Sequence, residues 1–126
     1  MNVKNFLALY ALVILIYGIF FLFLPGNAID LYGGSDSPLL RNAIQGIGTV
    51  FVPAGIMSWM ARDASASYGR RAILAFIGLS SLIFAVRSLM AIAAGGASGQ
   101  MTYIDLIVQI LFATGGLYFL SKEKEF

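Results

Sequence analysis

The chain has 126 residues, of which 60% are hydrophobic and only 11% charged, with a mean hydropathy of +0.87 and a formal net charge of +2. Soluble domains are roughly half apolar and about one-quarter charged, so the composition is that of a membrane protein, with a length for one domain over residues 1–126. Cysteine and histidine are both absent, which excludes disulfides, thiolate nucleophiles and the usual general base, haem ligand and zinc ligands.

The sequence opens with a charge-free apolar run from Phe6 to Leu24, preceded by Lys4 and ended by Pro25-Gly26. About twenty apolar residues cross the hydrocarbon core, so the run is expected to be a first transmembrane helix. A cleaved signal peptide would have a shorter apolar run and a small-x-small site, which FLFLPGNA does not offer. Residues 25–38 (PGNAIDLYGGSDSP) form a glycine-, proline- and aspartate-rich connector. Within it Ile29, Leu31 and Tyr32 are expected at the membrane interface, in about one helical turn.

A second helix is expected over 39–60, with Arg41 and Gln45 one turn apart on one face near its start. Gly46, Gly48, Ala54 and Gly55 give it small residues for close packing, around an internal Pro53. After the arginine-rich loop ARDASASYGRR, a third helix is expected over 72–94, carrying Arg87. Its small residues Gly78, Ser81, Ala85 and Ser88 share a ridge with Ile92, while Arg87 lies well off that ridge. The linker GGASGQMTY leads to a fourth helix over 104–120, which begins with Asp105 and has Gln109 one turn on. Ala8, Ala11 and Gly18 on the first helix, and Ala113 and Gly116 on the fourth, offer matching close contacts. The tail SKEKEF reads as a solvated end whose charges cancel.

Lysine and arginine placement sets an expected orientation. Lys4, Arg62, Arg70, Arg71, Lys122 and Lys124 fall on one side of such a four-span chain, and Arg41 on the other. By the positive-inside rule both termini are cytoplasmic, and the basic pI near 9.1 reports topology rather than nucleic-acid binding. Short loops make successive helices antiparallel neighbours, so the fold expected is all-α, four helices in an up-down bundle.

Helix rise brings the polar groups to one level. Arg87 lies roughly 22 Å along its helix from the cytoplasmic side, in the outer third of the bilayer. Arg41, Gln45, Asp105 and Gln109 sit at the outer starts of their helices, with Asp30 and Asp36 in the outer connector. An intramembrane arginine is costly unless it pairs or snorkels, so Arg87 is expected to pair with Asp105, or with Asp30, and Arg41 to reach outward with Asp36. These groups either tie helix ends together or form an outer-leaflet pocket for the headgroup of a lipid or other amphiphile. In the second case Arg41, Gln45, Arg87, Asp105 and Gln109 are the candidate ligand-binding residues. An ion or proton path is the weaker reading, because few ionisable groups continue inward. The aromatic residues are expected at lipid-facing or interfacial positions, with Tyr32, Trp59, Tyr68 and Tyr103 in an aromatic belt.

No serine stands beside a base, no carboxylate pair shares a helix face and no glycine loop follows a strand, so no enzyme, cofactor or metal is expected. The segments FLFLPGNAIDLYGG, SDSPLLRNAIQGIG and the Trp59-to-Arg62 exit of the second helix resemble a family of small four-helix bacterial integral membrane proteins of unknown function. Arg41 matches that family's arginine near the start of the second helix, and Gly46 and Gly48 its small-residue run. The resemblance covers the first half best and implies a fold rather than a chemistry. A small drug exporter would carry a glutamate in the first helix, a fluoride channel asparagine-bearing pore segments, and a quinone-reducing thiol enzyme cysteines.

The expected protein is a non-enzymatic accessory or scaffold subunit of the bacterial inner membrane. It packs with itself or with a larger membrane complex. A lipid-binding role at the outer pocket is the alternative.

Overall fold

The computed structural model describes residues 1–96 and 99–123, whose regular structure is helical, with no strand among them. Lys124 and linker residues Ala97 and Ser98 lie outside the described residues. Five helices follow in chain order: α1 Val3–Phe23, α2 Pro25–Leu31, α3 Pro38–Ala61, α4 Tyr68–Ala93 and α5 Gln100–Lys122. All but α2 are long and apolar enough to cross a membrane. The chain divides into two compact units, Met1–Arg62 and Asp63–Phe126.

The long helices begin earlier than hydropathy alone predicts, and in three of them a side-chain cap sets the start; α5 begins after Gly99 without one. Asn2 accepts from the Asn5 amide at 2.8 Å and starts α1. Ser37 accepts from the Leu40 amide at 3.1 Å, with Pro38 at the first position of α3. Ser67 accepts from the Arg70 amide at 3.1 Å, so α4 takes in Tyr68 to Arg71, which hydropathy places in a loop. Two helices end alike: Gly34 N–H donates to Ile29 carbonyl and Gly96 N–H to Ala91 carbonyl, each at 3.0 Å. The residue between, Gly33 or Gly95, has φ of 78° or 74°, which glycine adopts without strain. The expected single turn in the connector is a seven-residue helix, α2, opened by Pro25.

In the first unit α1 and α3 meet at three glycines. A Cβ placed on Gly55 would lie 3.1 Å from the carbonyl oxygen of Ala11, one on Gly18 2.8 Å from Val52 Cγ2, and one on Gly48 2.8 Å from the carbonyl oxygen of Gly18. Ascending α1 descends α3, so the pair forms a hairpin whose backbones touch because side chains are missing there. Phe21 is buried at the top of this hairpin, with ring centroids of Tyr17, Phe20, Tyr32 and Phe51 within 6.2 Å. Aromatics therefore build core here as well as outer surface, since Phe21 joins α1, α3 and the end of α2. Trp59, Tyr68 and Tyr103 are exposed.

In the second unit α4 and α5 meet still more closely. A Cβ on Gly116 would lie 2.7 Å from the Gly78 amide nitrogen and 3.3 Å from the Leu74 carbonyl oxygen. Of the ridge read from the sequence on α4, Gly78, Ser81 and Ala85 are buried, and Ser88 and Ile92 are half-buried. Large apolar side chains on all four long helices remain exposed, among them Leu12, Ile16, Ile56, Leu82, Ile83, Ile107 and Leu111.

Candidate functional site

A connected polar group of the first unit lies where α1 turns into α2. Pro25 has no N–H to give to the last turn of α1, and the Gln45 side-chain amide donates to the Leu22 carbonyl at 3.2 Å. One turn earlier on α3, Arg41 reaches over Gly26, where a Cβ would meet its Nη2 at 2.7 Å. Arg41 Nε donates to Asp36 Oδ1 at 2.7 Å and Nη2 to Asp36 Oδ2 at 2.6 Å. This two-bond fork holds the Asp36 carboxyl below its usual range. Asp30 adds a further attraction for Arg41. Both side chains of the pair are about half exposed, 50% and 43%, so solvent screens the pair and it is only a weak tie. Arg41 and Gln45 are thus brought together, each engaged by the α1–α2 corner.

The other three candidates belong to the second unit. Arg87 is exposed on α4, its guanidinium 6.0 Å from the Phe84 ring centroid. On α5, Thr102, Asp105 and Gln109 follow one face at helical spacing; Asp105 is half-buried, while Thr102 and Gln109 are each only 8% exposed. That face continues into Phe112, Ala113 and Gly116, the last being the residue in contact with Gly78.

The opposite end of the α4–α5 hairpin holds a group that the sequence reading treats as solvated tail. Glu123 Oε1 accepts from Arg70 Nε at 2.9 Å and lies 2.6 Å from Nη2, while Arg70 Nη1 donates to the Ala64 carbonyl at 2.8 Å. The side chains are 17% and 3% exposed, and Glu123 Oε2 is buried without a hydrogen-bond partner. The signal is present in hairpin geometry: with Gly78 against Gly116, eight residues back along α4 and seven on along α5 bring 70 and 123 level. Nearby in kind, Arg62 packs its guanidinium 3.9 Å over the Trp59 ring and donates to the Trp59 carbonyl at 2.6 Å. Lys122 places its ammonium 5.6 Å from the Tyr118 ring.

Among the described residues no group of three or more acidic side chains is placed to hold a metal ion. The fold and these polar groups define a helical chain of two hairpins with four helices of membrane-crossing length and apolarity. No family model, curated protein or solved structure matches it.

Proposed function

We propose that the protein is a multi-pass membrane protein of the bacterial inner membrane, its four long helices forming an up-and-down bundle with both termini cytoplasmic. In this reading it acts as a small non-enzymatic accessory or scaffold subunit, packing with copies of itself or with a larger membrane complex. The observation that carries it is the division of surfaces. Large apolar side chains are exposed along all four long helices, whereas the charged groups lie toward helix ends, several already engaged by neighbours. A soluble domain would not expose so many large apolar groups, and a bilayer requires them. Lys4, Arg62, Arg70, Arg71 and Lys122 lie at the same end of their own hairpins, which supports a cytoplasmic end.

A second reading, binding of a lipid or other lipophilic molecule, draws support from Gln109. It is a buried amide on an apolar helix, next to Asp105 on one face.

The deciding experiment has two stages. An alkaline carbonate wash should leave the protein with the membrane fraction; release would overturn the membrane reading. Native mass spectrometry from lipid discs should then give a defined mass above the monomer, made of copies of itself or of another protein. A monomer with one stoichiometric small adduct would replace the scaffold reading with the binding one.

A further inference from the structure

The contact face of α5 changes character along its length. From its start it carries Thr102, Asp105 and Gln109, and beyond them Phe112, Ala113 and Gly116. The Arg70–Glu123 and Gly78–Gly116 contacts run α5 back along α4. At the glycines an added Cβ on Gly116 would meet the Gly78 nitrogen at 2.7 Å, so the two backbones close the hairpin interior at that level. Seven residues back from Gly116 is Gln109, and seven on from Gly78 is Ala85. Seven residues are two turns less about 20°, so both stay on the contact stripe, level with each other and about 10 Å from the glycines. Their burial agrees: Gln109 is 8% exposed and Ala85 5%. A long amide thus stands opposite a methyl group, with Ser81 and Ser88 one turn to either side of Ala85.

The Gln109 carboxamide has no hydrogen-bond partner among the described residues, and neither have the hydroxyls of Thr102 and Ser81, residues that are 8% and 2% exposed. A serine or threonine hydroxyl can turn back to a carbonyl of its own helix. The carboxamide offers two donors and an acceptor and needs partners of its own, which are costly to leave unmet in an apolar interior. Among the described residues Glu123 Oε2 is the one partnerless side-chain polar atom that is fully enclosed, so the Gln109 amide keeps an opening. Buried water ordinarily fills such places, making about three hydrogen bonds to polar groups. We propose that the α4–α5 seam binds ordered water on the Gln109 carboxamide, as the blind end of an inlet that opens at the start of α5. Thr102 and the half-buried Asp105 carry polar groups from that start to Gln109. Past Gln109 the stripe is apolar, and the Gly78–Gly116 contact closes it. The inference concerns the interior of one hairpin and goes beyond the scaffold and membrane readings above.

The test is brief X-ray radiolysis of the full chain in lipid discs, with oxidised side chains located by peptide mass spectrometry. Hydroxyl radicals formed from bound water oxidise the side chains beside it. Phe112, one turn from Gln109 and 5% exposed, is therefore the reporter. Wild-type Phe112 should be oxidised despite its burial, and Gln109→Leu should lose that label while Tyr68, 70% exposed, keeps its own. Should Gln109→Leu not fold, Gln109→Met, with an unbranched side chain, carries the same expectation. A wild-type Phe112 that stays unlabelled, or a label that persists in the variants, would overturn the inlet. An unlabelled Phe112 together with one stoichiometric small adduct in native mass spectrometry would give the seam to a lipophilic ligand instead. Release in the carbonate wash fails the membrane reading; an unlabelled Phe112 in a retained protein fails only the water site.

Discussion

Gly116 stands backbone to backbone with Gly78: a methyl group on Gly116 would lie 2.7 Å from the Gly78 nitrogen and 2.8 Å from its Cα. Neither atom can rotate away as a side-chain tip would. Gly116→Ala should therefore separate α4 from α5 and destabilise the protein by about 1–3 kcal/mol. Thermal unfolding in detergent, followed by helical circular dichroism, would measure it, and an unchanged Tm would contradict the contact.

Gly46 is the matched opposite. Nothing lies within 4 Å of a Cβ built there, on the exposed side of α3. Gly46→Ala should be neutral or stabilising by up to about 1 kcal/mol, through helix propensity alone. The same unfolding experiment reads it. A large loss would mean that another surface covers Gly46.

Removing one partner of the Arg70–Glu123 pair leaves the other buried. Arg70→Gln should cost roughly 3 kcal/mol, because it strands a carboxylate that is 3% exposed. Glu123→Gln should cost less, since its amide oxygen still accepts from Arg70 and its NH2 group replaces an oxygen that has no partner. A double-mutant cycle on chemical unfolding gives the coupling; a value near zero would show the pair to be incidental.

Gln45→Leu keeps the size of the side chain and deletes its bond to the Leu22 carbonyl. The expected loss is about 1 kcal/mol. Hydrogen exchange should show the change at the end of α1 and the start of α2, and uniform acceleration across the chain would argue against a local tie.

The Asp36–Arg41 fork predicts an acid effect of definite sign. Hydrogen bonding to Arg41 is the largest cause holding the Asp36 carboxyl below its ordinary value of 3.8, with their charge attraction adding to it. A carboxyl lowered in the folded state stabilises fully above its unfolded pKa, and the benefit disappears as pH falls through the folded value. The Tm difference between wild type and Asp36→Asn should therefore be present near neutrality and vanish at a pH well under 3.8. A difference that persists in strong acid would assign the effect to something other than this pair.

The long helices were legible because hydropathy and length are properties of a segment on its own. Ser81 and Ala85 fall on the buried ridge expected of them, and Arg41 meets Asp36 as five residues across a cap allow. What escaped depended on partners distant in sequence. Glu123 looks solvated until α5 is laid against α4, and Phe21 looks lipid-facing until Tyr32 and Phe51 close around it. Helix starts escaped for a different reason: a serine cap extends a helix through polar residues, and Arg70 and Arg71 are helical although nothing in their hydropathy says so. For the candidate site, spacing along α3 and α5 placed Arg41 with Gln45 and Asp105 with Gln109. It could not show that the amide of Gln45 is committed to a backbone carbonyl.

The hairpin arrangement also bears on how such a chain is made. Each long helix finds its glycine-lined contact in its own unit, α1 with α3 and α4 with α5. During synthesis a helix therefore meets its partner as soon as the next long helix leaves the ribosome. Residues 1–62 can complete the contacts within their own unit while α5 is still untranslated, so under the proposed membrane reading the two units would assemble in two successive steps.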